Sequence, residues 1–444
     1  MRPIYKKNFF YTLIKTYAKF CFDHSYRRTE IYGEENIPSE GAIIFAPNHT
    51  NALTDALSVL FIGRTDKVFA AKAGIFGNPF IASALRFFKI LPINRIRDGI
   101  RNMGKNKKTF LAASDVLQHG IPFVIFPEGT QQYAHSMILP LQKGIFRIAL
   151  QSLGITGESV GENTKIGDLE FPFQLSIVPT GIEYGRFSAY RTYKLIRIGQ
   201  PIEITGFIRS LGEDRIFNMP EICNLLREEL ARRMLPLISY VPYNEDYPAL
   251  WDAVRIMTSE KIGNRYTLLE RAQCNQKVMA GIESLPEEKR KELIGYAAQL
   301  HRIREQKKIS IISCTEKDML VKRGLITVLA FPLALPVALL NLPTLIAGSL
   351  CSHLLEDQGF THGIRFAVKA VTWPIILIIL AVVLSGYICP FAAWAIAIVL
   401  YPAPELLYSY FRQARLFISD IRYSREKKIQ KLREEVIDLS SEKS

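Results

Sequence analysis

Between residues 30 and 206 the chain alternates short apolar runs with longer amphipathic stretches. The runs are GAIIFAP (41–47), KVFAAKA (67–73), KILPIN (89–94), PFVIFPE (122–128), QLSIVPTGIE (174–183) and YKLIRIG (193–199). Each has the length and the β-branched character of a strand. ALSVLFI, KTFLAASDVLQ and GIFRIALQSL lie between them and read as helices. The alternation predicts an α/β domain over 30–206. Residues 155–170 are Gly-rich and polar and predict a loop. From 207 to 320 the strand character is lost. EICNLLREELARRMLPLI and EKRKELIGYAAQLHRIREQKK carry apolar residues at three-to-four spacing and predict a helical region. In residues 1–29, Phe9, Phe10, Leu13, Ile14, Tyr17 and Phe20 recur at helical spacing. That pattern fits a helix lying in a membrane interface and equally an amphipathic helix packed on the core.

Two stretches break the pattern. Gly324–Leu355 and Ala370–Pro404 contain no Asp, Glu, Lys or Arg. A bilayer-spanning helix needs about 20 such residues, so 321–411 is predicted to be a membrane region. Pro332, Pro336 and Pro343 lie in the first stretch and predict a bent, re-entrant hairpin there. The second stretch is long enough for a hairpin turning at Ser385–Pro390. Lys317, Lys322 and Arg323 precede the first stretch, and residues 412–433 hold eight basic residues and two acids. Basic flanks at both ends predict an even number of membrane passes, with domain and tail (412–444) both cytoplasmic.

Composition sharpens this. The chain has 444 residues, 56 Lys plus Arg against 42 Asp plus Glu, a net charge of +14 and 48% apolar residues. That apolar content excludes a disordered chain. A basic excess suits nucleic acid or an anionic membrane surface. The uncharged stretches decide for the membrane, so membrane lipids are the expected partners and nucleic acid is not. The six cysteines form no C-x-x-C pair and read as free thiols in a reducing compartment.

Four clusters carry candidate chemistry. In APNHTNALTDAL (46–57), Asn48, His49 and Asp55 follow the end of a strand. A His suits a general base near neutrality, and a nearby Asp can fix its tautomer. Equally, Thr54 or Asp55 can serve as a helix cap. In FPEGT (126–130), Glu128, Gly129 and Thr130 form a strand-ending turn whose backbone can cradle an anion. LPINR (91–95) ends in Arg95, suited to bidentate phosphate binding. Residues 86–108 around it hold eight basic residues and one acid. IVPTGIEY (177–184) is a further strand. Two other matches are set aside. Gly157–Gly161 fits G-x-S-x-G but lacks the strand and helix that motif requires. Asn48-His49-Thr50 fits a glycosylation sequon but lies in the candidate catalytic loop.

Together, in this order and separation, the four clusters resemble the glycerolipid acyltransferase family that forms phosphatidic acid. The resemblance covers about residues 30–206 and implies an acyltransferase-type mixed sheet with flanking helices, here followed by the helical region and C-terminal membrane helices. It implies that His49 is the base and Asp55 its partner. It implies that Asn48, Arg95, Glu128, Gly129 and Thr130 build the substrate site. No metal or cofactor is implied; the acyl donor is a thioester, acyl-CoA or acyl carrier protein, and the acceptor a glycerol phosphate. Two departures stand out. Five residues separate His49 from Asp55 where the family has four, which places Thr54 at the usual acid position. Gln131 and Gln132 stand where the family often has Arg-Ser. The longer spacing and the C-terminal membrane segment look like the fungal glycerol-3-phosphate and dihydroxyacetone-phosphate acyltransferases. The expected function is acyl transfer to glycerol 3-phosphate in phospholipid biosynthesis. The alternatives are a lysophosphatidate or other lysolipid acyltransferase, and a non-catalytic lipid-binding membrane protein.

Overall fold

The computed structural model describes residues 3–94, 106–132, 134, 136–156, 159–161, 163–186, 189–263, 265–316, 318–354 and 361–441. The chain forms two compact units. One comprises Met1–Asp23, Arg28–Ser188 and Tyr193–Ile238; the other comprises His24–Arg27, Ala189–Thr192 and Ser239–Ser444.

The first unit is built on strands β1 (Arg28–Tyr32), β2 (Ala42–Pro47), β3 (Val68–Lys72), β4 (Ile90–Ile93), β5 (Phe123–Val124), β6 (Leu175–Tyr184), β7 (Tyr193–Ile198) and β8 (Ile202–Glu203). Their order is β1-β7-β6-β2-β5-β3-β4, with β8 on β6. β6, β2, β5, β3 and β4 run parallel, and β7 and β8 are antiparallel to β6. The helices are α1 (Phe9–Ser25), α2 (Ala52–Leu60), α3 (Pro79–Phe87), α4 (Asn106–Gln118), α5 (Gly144–Ser152), α6 (Ile204–Ser210) and α7 (Met219–Met234). This is the expected mixed α/β sheet with flanking helices. One core joins Ile44, Phe123 and Ile177 of the sheet to Val116 of α4, Phe146 of α5 and Leu226 of α7. The sheet-bearing unit therefore extends through α6 and α7 to Ile238, past the boundary at 206 read from the loss of strand character. Burial of Ile222, Leu226 and Leu230 ties α7 to the sheet.

The parallel strands bring their C-terminal ends to one edge of the sheet, where ligands bind in open α/β folds. Pro47 pairs in register with Thr180, so β6 runs four residues beyond the end of β2. That overhang places Ile182 and Tyr184 beside the loop that follows β2.

The second unit begins with α8 (Tyr247–Ile262), α9 (Leu268–Glu283), α10 (Glu287–Gln306) and α11 (Ile311–Thr315). The apolar helices follow: α12 (Leu320–Leu340), α13 (Leu342–Leu354), α14 (Thr361–Ser385) and α15 (Pro390–Val399). α16 (Ala403–Arg425) and α17 (Lys427–Ser441) complete the chain. Leu320–Leu340, Thr361–Ser385 and the stretch Pro390–Arg425 are long and apolar enough to cross a bilayer. The stretches of membrane-crossing length and hydropathy found among the described residues thus lie in this unit. α12 continues through Pro332 and Pro336, where the prolines predicted a break; the interruption falls at Asn341 instead. In lipid, neighbouring helices and side chains compensate the carbonyls that such prolines free. The turn between α14 and α15 falls at 386–389, inside the expected Ser385–Pro390 interval.

Candidate active site

Pro47 ends β2, and the chain turns through Asn48–Asn51 into α2. Asn48 anchors the start of this turn. Its Oδ1 accepts from the Ile182 N–H at 2.6 Å and its Nδ2 donates to the Ile182 carbonyl at 3.1 Å. The side chain is buried and takes the place of another strand residue on the overhang of β6. Asn48 therefore positions the loop that carries His49.

His49 and Asp55 meet. Nδ1 of His49 lies 2.9 Å from Oδ2 of Asp55. The same oxygen accepts from the backbone N–H groups of Thr50 at 2.7 Å and Asn51 at 2.6 Å. Oδ1 accepts from the Tyr184 hydroxyl at 2.7 Å. A carboxylate surrounded by donors acts as acceptor, so Nδ1 of His49 carries the hydrogen and Nε2 is left to take a proton. Asp55 is fully buried, whereas the His49 side chain keeps 18% exposure, so the base is open to a substrate and its partner is not. Thr54 is buried too, but its hydroxyl donates to the Asn51 carbonyl at 2.7 Å. It does not occupy the acid's place. The turn that delivers Asp55 includes Ala52 at φ 26°, outside the conformations a residue with a Cβ ordinarily adopts.

The FPEGT turn grips the same histidine from the neighbouring strand. Glu128 accepts from the His49 N–H at 2.8 Å through Oε1 and from the Leu139 N–H at 3.0 Å through Oε2. The Gln132 N–H donates back to the His49 carbonyl at 2.9 Å. The His49 ring stacks on Phe126, with centroids 4.0 Å apart. Glu128 is buried, and desolvation pushes its carboxyl up to about 8 against the pull of the two backbone N–H groups. Its place is behind the histidine. Gln132, one of the two residues that depart from the family pattern, helps lock this turn through its side-chain bond to the Met137 carbonyl at 2.8 Å.

Gly129 has φ 66°, a left-handed turn conformation that favours glycine. Thr130 follows at the half-buried end of the turn, its hydroxyl 3.4 Å from the Gln131 carbonyl. Arg95 lies outside the described residues. The adjoining Asn94 is held by two hydrogen bonds to Asn106 Oδ1, at 2.8 and 3.1 Å. An open cavity of about 720 Å³ adjoins it, lined by Lys72, Arg86, Asn94, Lys108 and Thr109 among others. Its cations suit an anionic group. Among the described residues, no three His, Cys, Asp or Glu side chains converge as a metal site. The Ser159 hydroxyl donates to the Gly154 carbonyl at 2.7 Å within its own exposed turn.

Tyr184 and Phe126 carry parts of this site that the motifs did not assign. Phe126 lay inside FPEGT, beside the residues chosen for their polarity. Tyr184 carried no signal beyond its position at the polar end of a strand.

Residues 28–183 match the model of the Acyltransferase family. Among solved structures, the 1-acyl-sn-glycerophosphate (LPA) acyltransferase PlsC of Thermotoga maritima is similar at 18% identity. The match covers 50% of this chain and 78% of that one, with a TM-score of 0.31. No curated protein gives a significant match.

Proposed function

We propose that this membrane protein transfers a fatty acyl group from a thioester, acyl-CoA or acyl carrier protein, to a hydroxyl of glycerol 3-phosphate. The observation that carries the reading is the His49–Asp55 pair, formed at 2.9 Å despite the longer spacing. In this mechanism Nε2 of His49 removes the hydroxyl proton as the oxygen attacks the thioester carbonyl. A C–O bond forms and the carbonyl electrons move to oxygen. Collapse of the tetrahedral adduct breaks the C–S bond, and the imidazolium returns its proton to the departing sulfur. Asp55 keeps the ring oriented and stabilises its charged form. Arg95, with the cationic cavity beside Asn94, takes the acceptor phosphate. The choice of glycerol 3-phosphate follows the longer His49–Asp55 spacing and the C-terminal membrane region. In this reading the sheet-bearing unit faces the cytoplasm, where both thioester donors are soluble.

The test is an assay of purified, reconstituted protein with radiolabelled glycerol 3-phosphate and with lysophosphatidate, each with both donors. Transfer to glycerol 3-phosphate is expected. Transfer to lysophosphatidate alone overturns the acceptor, and transfer to neither overturns the enzyme. Arg95→Ala is expected to raise KM for the phosphorylated acceptor far more than for the donor.

A further inference from the structure

Two helices of the sheet-bearing unit carry apolar surface that the fold leaves uncovered. On α1, Tyr11 and Phe22 turn inward and are buried. Phe9, Phe10, Leu13, Ile14, Tyr17 and Phe20 occupy the opposite face and are exposed, Phe9 by 76% and Phe10 by 68%. On α3 no residue is buried. Phe80 is 84% exposed, and Ile75, Ile81 and Phe88 around it are exposed as well. The two helices are neighbours. Tyr11 of α1 meets Phe87 of α3 edge-on with ring centroids 6.3 Å apart. Lys89, just after α3, donates to the Lys6 carbonyl at 3.3 Å. α3 is a properly built helix with Pro79 in its first turn and Asn78 capping the Phe80 and Ile81 N–H groups. Its outward Phe and Ile are therefore presented by ordered backbone.

We propose that α1 and α3 form one lipid-docking surface, on which the sheet-bearing unit lies against an anionic bilayer leaflet. This is an attachment additional to the apolar helices of the second unit. Contiguous exposed apolar surface marks an interaction site, and the charge around this one selects its partner. Residues 1–28 hold seven Lys or Arg and one acid, Asp23. Exposed Lys6 and Lys7 precede α1. A basic rim around Phe and Leu is the signature of a helix in the interface of an anionic membrane. A second copy of this chain fits poorly, because a two-fold contact through this face would oppose the same cations.

The test uses the full chain in sealed vesicles of phosphatidylcholine and phosphatidylglycerol. Cys274, Cys351 and Cys389 are replaced by Ser. A bimane fluorophore is attached in the variants Phe10→Cys, Phe80→Cys and, as a control, Asp214→Cys. Both phenylalanines are largely exposed, so their replacement removes little packing. Quenching by acyl-chain-brominated lipid is expected at positions 10 and 80 and not at 214, with the reverse order for aqueous iodide. Omitting phosphatidylglycerol is expected to lower bromolipid quenching at position 10 by roughly two-fold or more. Iodide reaching 10 and 80 as freely as 214 overturns the proposal. So does protection from iodide without bromolipid quenching, which signifies a covering protein. Quenching indifferent to phosphatidylglycerol overturns the anionic selectivity. None of these readouts depends on the acceptor or on catalysis.

Discussion

The hydroxyl of Tyr184 donates to Oδ1 of Asp55 at 2.7 Å, across 129 positions of sequence. It completes the shell of donors around the carboxylate whose other oxygen faces His49. The overhang of β6 beyond β2 makes this contact, so the orientation of the base depends on a strand outside the NH…D loop.

Tyr184→Phe is accordingly expected to lower kcat by about ten-fold with little change in acceptor KM, since a hydrogen bond to a charged group contributes about 1.5–3 kcal/mol. The split is informative because Tyr184 is buried behind Asp55 and offers no surface to substrate. A rise in KM with kcat intact would refute the positioning role.

His49→Ala is expected to cost about 10²–10⁴ in rate, the usual loss on removing a general base. Asp55→Asn should also be severe, because an amide in that site cannot accept from all its present donors or balance an imidazolium. Thr54→Ala should leave kcat nearly unchanged, since its hydroxyl donates to the Asn51 carbonyl and not to the His49–Asp55 pair. Steady-state kinetics on the three variants gives the order; Thr54→Ala worse than Asp55→Asn contradicts the assignment.

The apolar runs of β2, β6 and β7 were legible because burial on both faces of a central strand demands continuous apolar sequence. β1 was not. RTEIY lies at the sheet edge, paired with β7 alone and only half-buried, so its polar residues hide the strand. β8, two residues long, offers no pattern at all. At the site, the pairing of His49 with Asp55 was expected from the resemblance, whereas the turn that joins them, with its unusual backbone at Ala52, was not legible. Asn48 and Glu128 were read as substrate-site residues from the resemblance, and their backbone partners were not legible in the sequence. Their polarity pointed to a ligand, whereas their partners are the backbone of Ile182, His49 and Leu139.

Lys194 gives a pH-dependent test of stability. It is buried over the Phe22 ring, 4.2 Å from its centroid, and desolvation lowers its pKa from 10.5 to about 7. A lysine with a depressed folded-state pKa binds fewer protons when folded than when unfolded across that interval. Its penalty is therefore full below about pH 7, shrinks as pH rises and is gone above 10.5. Lys194→Met should raise Tm most at pH 6 and progressively less toward pH 10. A gain independent of pH would show that packing, not proton linkage, is responsible.

The apolar helices of the second unit predict their own topology. Arg323 at the start of α12 makes two bonds to Asp420 in α16, at 2.8 and 2.7 Å, while Val337 and Leu340 at its other end pack near Ala403. The two helices are therefore antiparallel. Lys369 pairs with Glu405, and the Trp373 indole donates to the Tyr401 carbonyl at 2.9 Å, so α14 also opposes α16. Thr344 bonds Thr372 at 2.9 Å and Gly348 lies against Arg365, so α13 opposes α14. The directions then alternate through α12, α13, α14 and α15–α16, and the chain returns to the side on which it began. Ser310 and Ser313 reach Ser419 at 2.7 Å each, which fastens the two flanks together. In a Cys389→Ser background, Lys322→Cys and Lys428→Cys should react with a membrane-impermeant maleimide from the same side of sealed vesicles, and Tyr387→Cys from the other. Arg323→Ala should cost about 3–5 kcal/mol, the loss typical of stranding one member of a buried ion pair. Labelling of 322 and 428 from opposite sides would mean an odd number of crossings, incompatible with the Arg323–Asp420 pairing.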